Sequence, residues 1–424
     1  MKIRKLGFFE ILLPIVIVAF AGQGTSFVVA VFSNNTRWLV CLLLLFYLLF
    51  SGRFFNKLND MLMAILFFYF SWCILTTTWS TVPLLSFLKS SAFFLVSLTM
   101  IVAGKVWVRK YSWERSLDWL FFLAVIALLS GILGRGVEGA LDVGYGSGAI
   151  DLYQGLTGNA NMFGMLQTMA FPFLLWKAYK NWKVRKLCFI WGGLLALAVF
   201  FLLESYSRSA LLAALSVCFI FFISLSSRKK YVILINSIII FSFSFVLMAP
   251  VAIKVLSAHL YKDNRADADL FSTRRSVWDD SYEAAVYGGW LGIGYGSAVA
   301  QENYKLQALS SGAYTREKGN SQLAIIEETG VVGLILYTTF LVIFSIRAIK
   351  CYRELNGSEK VLMGLVLGSL LGLLISSIFE AWWDAPGSPE AVYFWTMTGI
   401  AMGLMQVTKK EVIREYFAME AMHR

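Results

Sequence analysis

Tyr231-Val-Ile-Leu-Ile-Asn-Ser-Ile-Ile-Ile-Phe-Ser-Phe-Ser-Phe-Val-Leu-Met-Ala-Pro-Val-Ala-Ile253 holds no charged side chain. As a helix it would be roughly 35 Å long, enough to cross a hydrocarbon core of roughly 30 Å. The 424-residue chain repeats this kind of run from end to end, with 58% hydrophobic and only 15% charged residues. Soluble domains carry roughly 25% charge and could not hide so much apolar surface. The class is an all-α polytopic membrane protein, not a secreted, disordered or DNA-binding one. The net charge of +11 then reports topology and implies no nucleic-acid partner.

About twelve spans fit the chain: 8–31, 37–50, 60–79, 82–103, 117–134, 161–179, 187–203, 210–225, 231–256, 321–346, 362–379 and 391–406. The second is short and also fits a re-entrant hairpin, which leaves eleven or thirteen open. Basic residues cluster in alternate connections: Lys2, Arg4 and Lys5; Lys105, Arg109, Lys110 and Arg115; Lys177 to Lys186; Arg228 to Lys230; Arg347 to Lys360. The positive-inside rule puts these connections and both termini in the cytoplasm. The expected organisation is spans one to nine over 1–256, a large outer loop over 257–320, three spans over 321–408 and a cytoplasmic tail over 409–424. No cleavable signal is needed, because the first apolar stretch reads as a span. None of the five cysteines falls in an outer connection, so no disulfide framework is expected.

Polar residues gather at the outer side. Gly134–Gly158 is glycine-rich and reads as a flexible loop. The loop over 257–320 is long enough to suggest a folded lid or platform. Within it, Ser272 or Thr273 can cap a helix whose apolar positions recur through Val277, Trp278, Tyr282 and Val286, until Gly288-Gly289 ends it. Such a helix is expected to lie on the membrane surface. Arg274 and Arg275 sit in its first turn, where the helix dipole disfavours cations and anions are welcome. They read equally as solvated arginines or as partners of Asp279 and Asp280. Glu204 and Arg208 flank an outer turn, where charged residues commonly snorkel. Lys89 lies inside a span, where a charge is functional by default, and snorkelling explains it nearly as well. Asn159 and Asn161 fit helix caps. Trp382, Trp383 and Tyr393 fit an interfacial aromatic belt. Gly292-Ile-Gly294-Tyr-Gly296 lacks nucleotide-binding spacing, and no metal-binding motif occurs.

Four segments together resemble the family of O-antigen ligases and Wzy-type polymerases. They are Gly158-Asn-Ala-Asn161-Met-Phe-Gly164; Ser207-Arg208-Ser209; Arg274 with Trp278 and then Gly292–Gly296; and Gly319-Asn320-Ser-Gln-Leu with Glu328-Thr-Gly330-Val-Val-Gly333. The resemblance is clearest over 155–345. It implies a bacterial inner-membrane glycosyltransferase working at the periplasmic face. Donor and acceptor would be glycans on undecaprenyl diphosphate, in contact with membrane lipid, and no cofactor or metal is used. A protein that regulates chain length is implied as a partner.

Arginine suits the donor's diphosphate because its fork meets phosphate oxygens bidentately. Arg274 is therefore expected on the diphosphate, with Arg208 as second contact and Arg275 in reserve. Trp278 and Lys89 complete the expected substrate contacts. Direct displacement would invert the anomeric centre. The family's ligases place a histidine where this chain has Gly319, which favours polymerase over ligase. Glu317 then becomes the nearest general base before Asn320, and Asn320 either orients the acceptor or caps a helix. His259 is expected to be dispensable. A transporter of lipid-linked glycan would show inverted repeats or broken helices, and neither is visible in the sequence. A scaffolding role would leave the paired outer arginines unexplained.

Overall fold

The computed structural model describes residues 7–22, 25, 28, 35–52, 54, 58, 60–110, 113–136, 141–142, 152–225, 272–302, 305–308, 318–383 and 385–422. The expected ninth span, 231–256, lies outside them, as do His259 and Glu317.

The described chain is helical: α1 Phe8–Ala21, α2 Thr36–Phe50, α3 Met61–Leu75, α4 Pro83–Lys110, α5 Phe121–Gly134, α6 Ala160–Asn181, α7 Arg185–Glu204 and α8 Arg208–Ser224 precede the loop region. α9 Ser272–Gly288, α10 Ser321–Glu354, α11 Gly357–Ser376 and α12 Pro389–Met422 follow. Among the described residues six helices are long and apolar enough to cross a membrane, and α1, α2 and α8 are shorter apolar helices. This is a polytopic helical membrane protein. Two small antiparallel hairpins interrupt the helices, Leu141–Asp142 (β1) with Leu152–Tyr153 (β2) and Val299–Glu302 (β3) with Lys305–Ala308 (β4).

Several boundaries differ from expectation for local reasons. The span expected from residue 117 is preceded by a 3-10 turn at Trp113–Arg115 and opens with another at Asp118–Leu120 before α5 begins. The helix of the last span does not end near 406 but runs on to Met422, through the expected tail. The end of the expected flexible loop is packed: Tyr153 is buried, its ring beside Phe163 and Phe201 and its hydroxyl donating to Gly131 O.

Small residues let the helices close on one another, as membrane packing requires. On α11, Gly364, Gly368 and Gly372 face Ser224, Val217 and Ala213 of α8, so the two helices run antiparallel. On α4 and α12, Gly104 lies against Thr396 and Ile400, and Gly399 against Ile101. One side chain in the way at any of these positions would hold the backbones apart.

The two ends of the bundle differ. At the basic end, Asp60 joins three helices to α3: Arg347 Nη1 lies 3.1 Å from it, Lys105 Nζ 3.8 Å, and Gln406 Nε2 donates at 3.3 Å. Near the opposite end the core is aromatic. Trp383 packs 4.3 Å from both Tyr337 and Phe394 and 5.0 Å from Trp395. Trp382, Trp383 and Tyr393 are thus core residues, at most 3% exposed, and not the interfacial belt their position near a turn suggested. The Tyr393 hydroxyl spends its proton on Met169 O at 3.2 Å, which lets so polar a ring sit inside.

Candidate active site

α10 is broken, a feature the sequence did not reveal. Gly330 has φ +72° and ψ −178° inside it, a conformation that glycine adopts without strain. A break in a span frees backbone groups that must find partners. Here the glycine-rich stretch after α9 supplies them. Ile293 N donates to Glu327 O at 2.9 Å and Gly294 N to Glu328 O at 3.0 Å. In return Val331 N donates to Gly289 O at 3.0 Å and Val332 N to Trp290 O at 3.3 Å. Gly288 and Gly292 lie directly on this backbone; at Gly292 an added Cβ would strike the Glu328 carbonyl.

Side chains lock the same contact. Glu328 Oε2 accepts from Gly296 N at 2.6 Å, and Glu327 Oε1 from Val299 N at 2.7 Å. Lys318 Nζ donates to Ser297 O at 2.8 Å, pairs with Glu328 and lies 3.5 Å from Glu327. All three side chains are buried, at 8% exposure or less. The α3–α4 turn holds the loop from the other side: Trp79 Nε1 donates to Gly292 O at 3.0 Å and Tyr295 N to Thr76 Oγ1 at 3.0 Å. Lys89 belongs to this clamp. Its ammonium donates to Gly296 O at 2.9 Å, so one of its donors is used to hold the loop.

α9 forms where the sequence placed a helix and ends at Gly288. It does not simply rest on the membrane surface. Ser281, Ala284 and Ala285 are buried, Gly288 abuts the Ile326 and Glu327 carbonyls, and Tyr282, Val286 and Trp290 are exposed. α9 and the first part of α10 therefore run side by side in the same direction. Trp278 joins their starts, donating from Nε1 to Gly319 O at 3.2 Å with its ring 5.8 Å from that of Phe379.

The start of α10 is fixed next. Asn320 takes the cap reading: Oδ1 accepts from Gln322 N at 2.8 Å and Leu323 N at 3.0 Å, and Nδ2 donates to Ile378 O at 3.1 Å. Gln322 Nε2 donates to Ser377 Oγ at 2.8 Å. α11 thus delivers its last residues to this corner. The α8–α11 register set by Ala213 with Gly372 and Val217 with Gly368 carries Arg208, the first residue of α8, to the level of Ser377. Behind it, Gly164 of α6 packs against Ser205 and Ser207, which leaves no room for a side chain there.

So the starts of α8, α9 and α10 open at the same end of the bundle: Trp278 and Asn320 meet around Gly319 and Ile378–Phe379, and Arg208 lies at the level of Ser377. Arg275 is exposed in the first turn of α9. Arg274 precedes it in the same turn, its side chain outside the described part. Glu317 would immediately precede Lys318. Lys89 stands apart from the corner, under the glycine-rich loop. Nearby, Glu204 pairs with Arg135, the residue that follows α5. The Glu204 hydrogen bond pushes the Arg135 guanidinium above its ordinary pKa. The sequence reading missed Lys318, Glu327 and Glu328 as a unit. Two adjacent carboxylates within an expected span were the available signal. No metal-binding cluster occurs among the described residues.

Residues 193–338 match the O-antigen ligase family. The match covers less than half of the chain, from within α7 to just past the break in α10, and takes in Arg208, α9, the glycine-rich loop and the Lys318–Asn320 corner. It supports a membrane enzyme of the O-antigen ligase and polymerase type, with glycosyl transfer as its chemistry. No curated protein matches the chain.

Proposed function

We propose that this chain polymerises undecaprenyl-diphosphate-linked oligosaccharide repeat units, at the periplasmic face of a bacterial inner membrane. The observation that supports this reading is that the starts of α8, α9 and α10 open at the same end of the bundle, with Arg208 heading α8 and Arg274 in the first turn of α9. A departing diphosphate gathers negative charge as the anomeric C–O bond breaks. Helix N-termini carry partial positive charge, and arginine adds a bidentate fork. Fixed donors of this kind stabilise developing charge without reorganising. Arg274 and Arg208 are assigned to the diphosphate, with Arg275 and Trp278 on the substrates, while Lys89 holds the glycine-rich loop and not the substrate. Glu317 is the base for the acceptor hydroxyl, and displacement is direct and inverting without a metal. The basic connections support an outer location for the opposite end, and hence for the corner. A regulator of chain length is the partner this reading calls for.

Position 319 favours polymerase over ligase. The family's ligases put a histidine there, and here a Cβ would press on Val277 and meet Trp278 Cδ1 at 3.4 Å. The site is built around glycine. The ligase reading keeps one argument, the family's own description. A transporter gains an argument from the broken α10, yet the break's freed groups are taken up by the glycine-rich loop and not left for a passing ion.

Purified protein in lipid, given synthetic lipid-linked repeat units, tests this. Products of two or more repeat units still on the carrier are expected. Transfer only to a lipid A-core acceptor would establish the ligase, and movement of substrate without new bonds the transporter.

A further inference from the structure

At the basic end, α1, α5, α6 and α7 leave a groove of about 710 Å³, within the roughly 300–1,000 Å³ of small-molecule sites. Its walls are apolar, formed by Pro14, Ile15 and Val18 of α1 with Phe122, Val125 and Ile126 of α5. It opens sideways, where Ile11, Phe121 and Phe122 are exposed. Charge appears only at its mouth, in Glu10, Arg115, Asp118 and Lys177. From Glu10 to Val18 the helix rises about 12 Å, close to one leaflet's share of a roughly 30 Å core. The groove thus has the depth of a single leaflet and a polar head at the membrane boundary.

The mouth is incompletely satisfied. Asp118 takes Lys177 Nζ at 2.8 Å and Arg115 Nε at 3.1 Å. Glu10 Oε2 accepts from Gly7 N at 2.7 Å. Glu10 Oε1 is buried without a hydrogen-bond partner among the described residues, and Arg115 Nη1 stands off at 3.9 Å. A buried carboxylate oxygen left without a donor is costly. The site therefore asks for a ligand with a cationic donor for Glu10 and a hydrocarbon chain, and Arg115 and Lys177 stand at the mouth where an anionic group of the same ligand would lie.

We propose that the groove binds a phospholipid with a primary-amine headgroup, of the phosphatidylethanolamine type. Its phosphate lies against Arg115 and Lys177, its ammonium donates to Glu10 Oε1, and an acyl chain runs toward Val18 and Ile126. A polyprenyl diphosphate is the wrong ligand here: it brings extra negative charge toward Glu10 and Asp118 and no donor. The site is at the opposite end from the glycosyl-transfer corner and does not depend on that assignment.

The test is native mass spectrometry of the full chain after exchange into equal amounts of phosphatidylethanolamine, phosphatidylcholine and phosphatidylglycerol. Retention of the ethanolamine lipid is expected to exceed each of the others about tenfold, the ratio for one charge-assisted hydrogen bond. Phosphatidylcholine keeps the positive charge but has no N–H, so this comparison needs no variant. Glu10→Gln should erase the preference while lipid still binds. Val18→Trp, filling the groove, should release the retained lipid from protein that still elutes as folded. Equal retention of the three lipids, an unchanged preference in Glu10→Gln, or displacement by polyprenyl diphosphate would each overturn the proposal.

Discussion

Glu328 accepts the amide proton of Gly296 at 2.6 Å, so a carboxylate inside a broken helix fixes the loop that follows α9. Lys318 then pairs with Glu328 while donating to Ser297 O. The clamp joins the segment just before Asn320 to the loop and to the helix break. Anything that loosens it should move α9, and with α9 the turn that carries Arg274 and Arg275.

Lys318→Met is expected to destabilise the protein more than Glu328→Gln. The first strips from two buried carboxylates the cation they share, and breaking a buried pair costs about 3–5 kcal/mol. The second keeps the shape, an acceptor for Gly296 N and a Lys318–Glu327 pair, so about 1–2 kcal/mol is expected. Adding Glu328→Gln to Lys318→Met should recover part of the loss, because one stranded charge disappears. Thermal unfolding in detergent measures all three. Equal losses in the two single variants, summing in the double, would show that charge is not what the clamp balances.

The bundle was legible because apolar runs and small residues are local signals. Tyr231–Ile253 announces a membrane protein by itself, and the Gly288-Gly289 stop of α9 needs only its own neighbours. The break in α10 was not legible, since Gly330 makes sense only against the Trp290 carbonyl far from it in sequence. Trp382 and Trp383 misled for the same reason. Their place near a turn suggests an interface, and only the packing of α10 and α12 buries them. In the corner, Arg208, Trp278 and Asn320 could be chosen from motifs. The Lys318–Glu327–Glu328 clamp left only the signal of two adjacent carboxylates in a span, because the backbone groups it holds carry no sequence signature.

Gly330→Ala should be far more damaging than Gly357→Ala, although both glycines have positive φ, +72° and +56°. A left-handed alanine costs about 1–2 kcal/mol by itself, and the φ/ψ pair of Gly330 is one that essentially only glycine adopts. At Gly357 nothing else stands within 4 Å, while at Gly330 the new Cβ runs into the Trp290 carbonyl. Glycan synthesis and detergent stability should survive the first change and fail with the second. Similar outcomes for the pair would remove close approach as the reason for glycine at the break.

Cysteine substitutions read the orientation. A thiol at Gly146 or Ala313 should react with an impermeant reagent added to intact cells whose outer membrane has been opened, and one at Lys183 should not. Labelling at Lys183 with protection at Ala313 would invert the bundle and take the corner away from the periplasm.

Arg274→Lys should lose most activity at normal protein level, because lysine keeps the charge but not the fork. Arg208→Lys should behave in the same way if Arg208 meets the diphosphate. A role confined to holding α8 would instead show as lost protein, so abundance is measured beside activity. Wild-type polymerisation by Arg274→Ala would end its assignment.

The last expectation concerns Gly319, where family ligases carry histidine. A side chain here must displace Val277 and press on Trp278, whose indole donates to Gly319 O itself. Overpacking of this kind costs about 1–3 kcal/mol, and it acts on the contact that aligns α9 with α10. Gly319→Ala should therefore lower activity, and Gly319→Ala with Val277→Ala should regain much of it, since the second change vacates the space the first needs. Gly319→His should be inactive as a polymerase and gain no transfer to lipid A-core, because the ring cannot enter while Trp278 keeps its place. The readout is product length together with acceptor identity. Ligation by Gly319→His in folded protein would mean that a histidine is all this corner lacks, and would return the chain to the ligase reading.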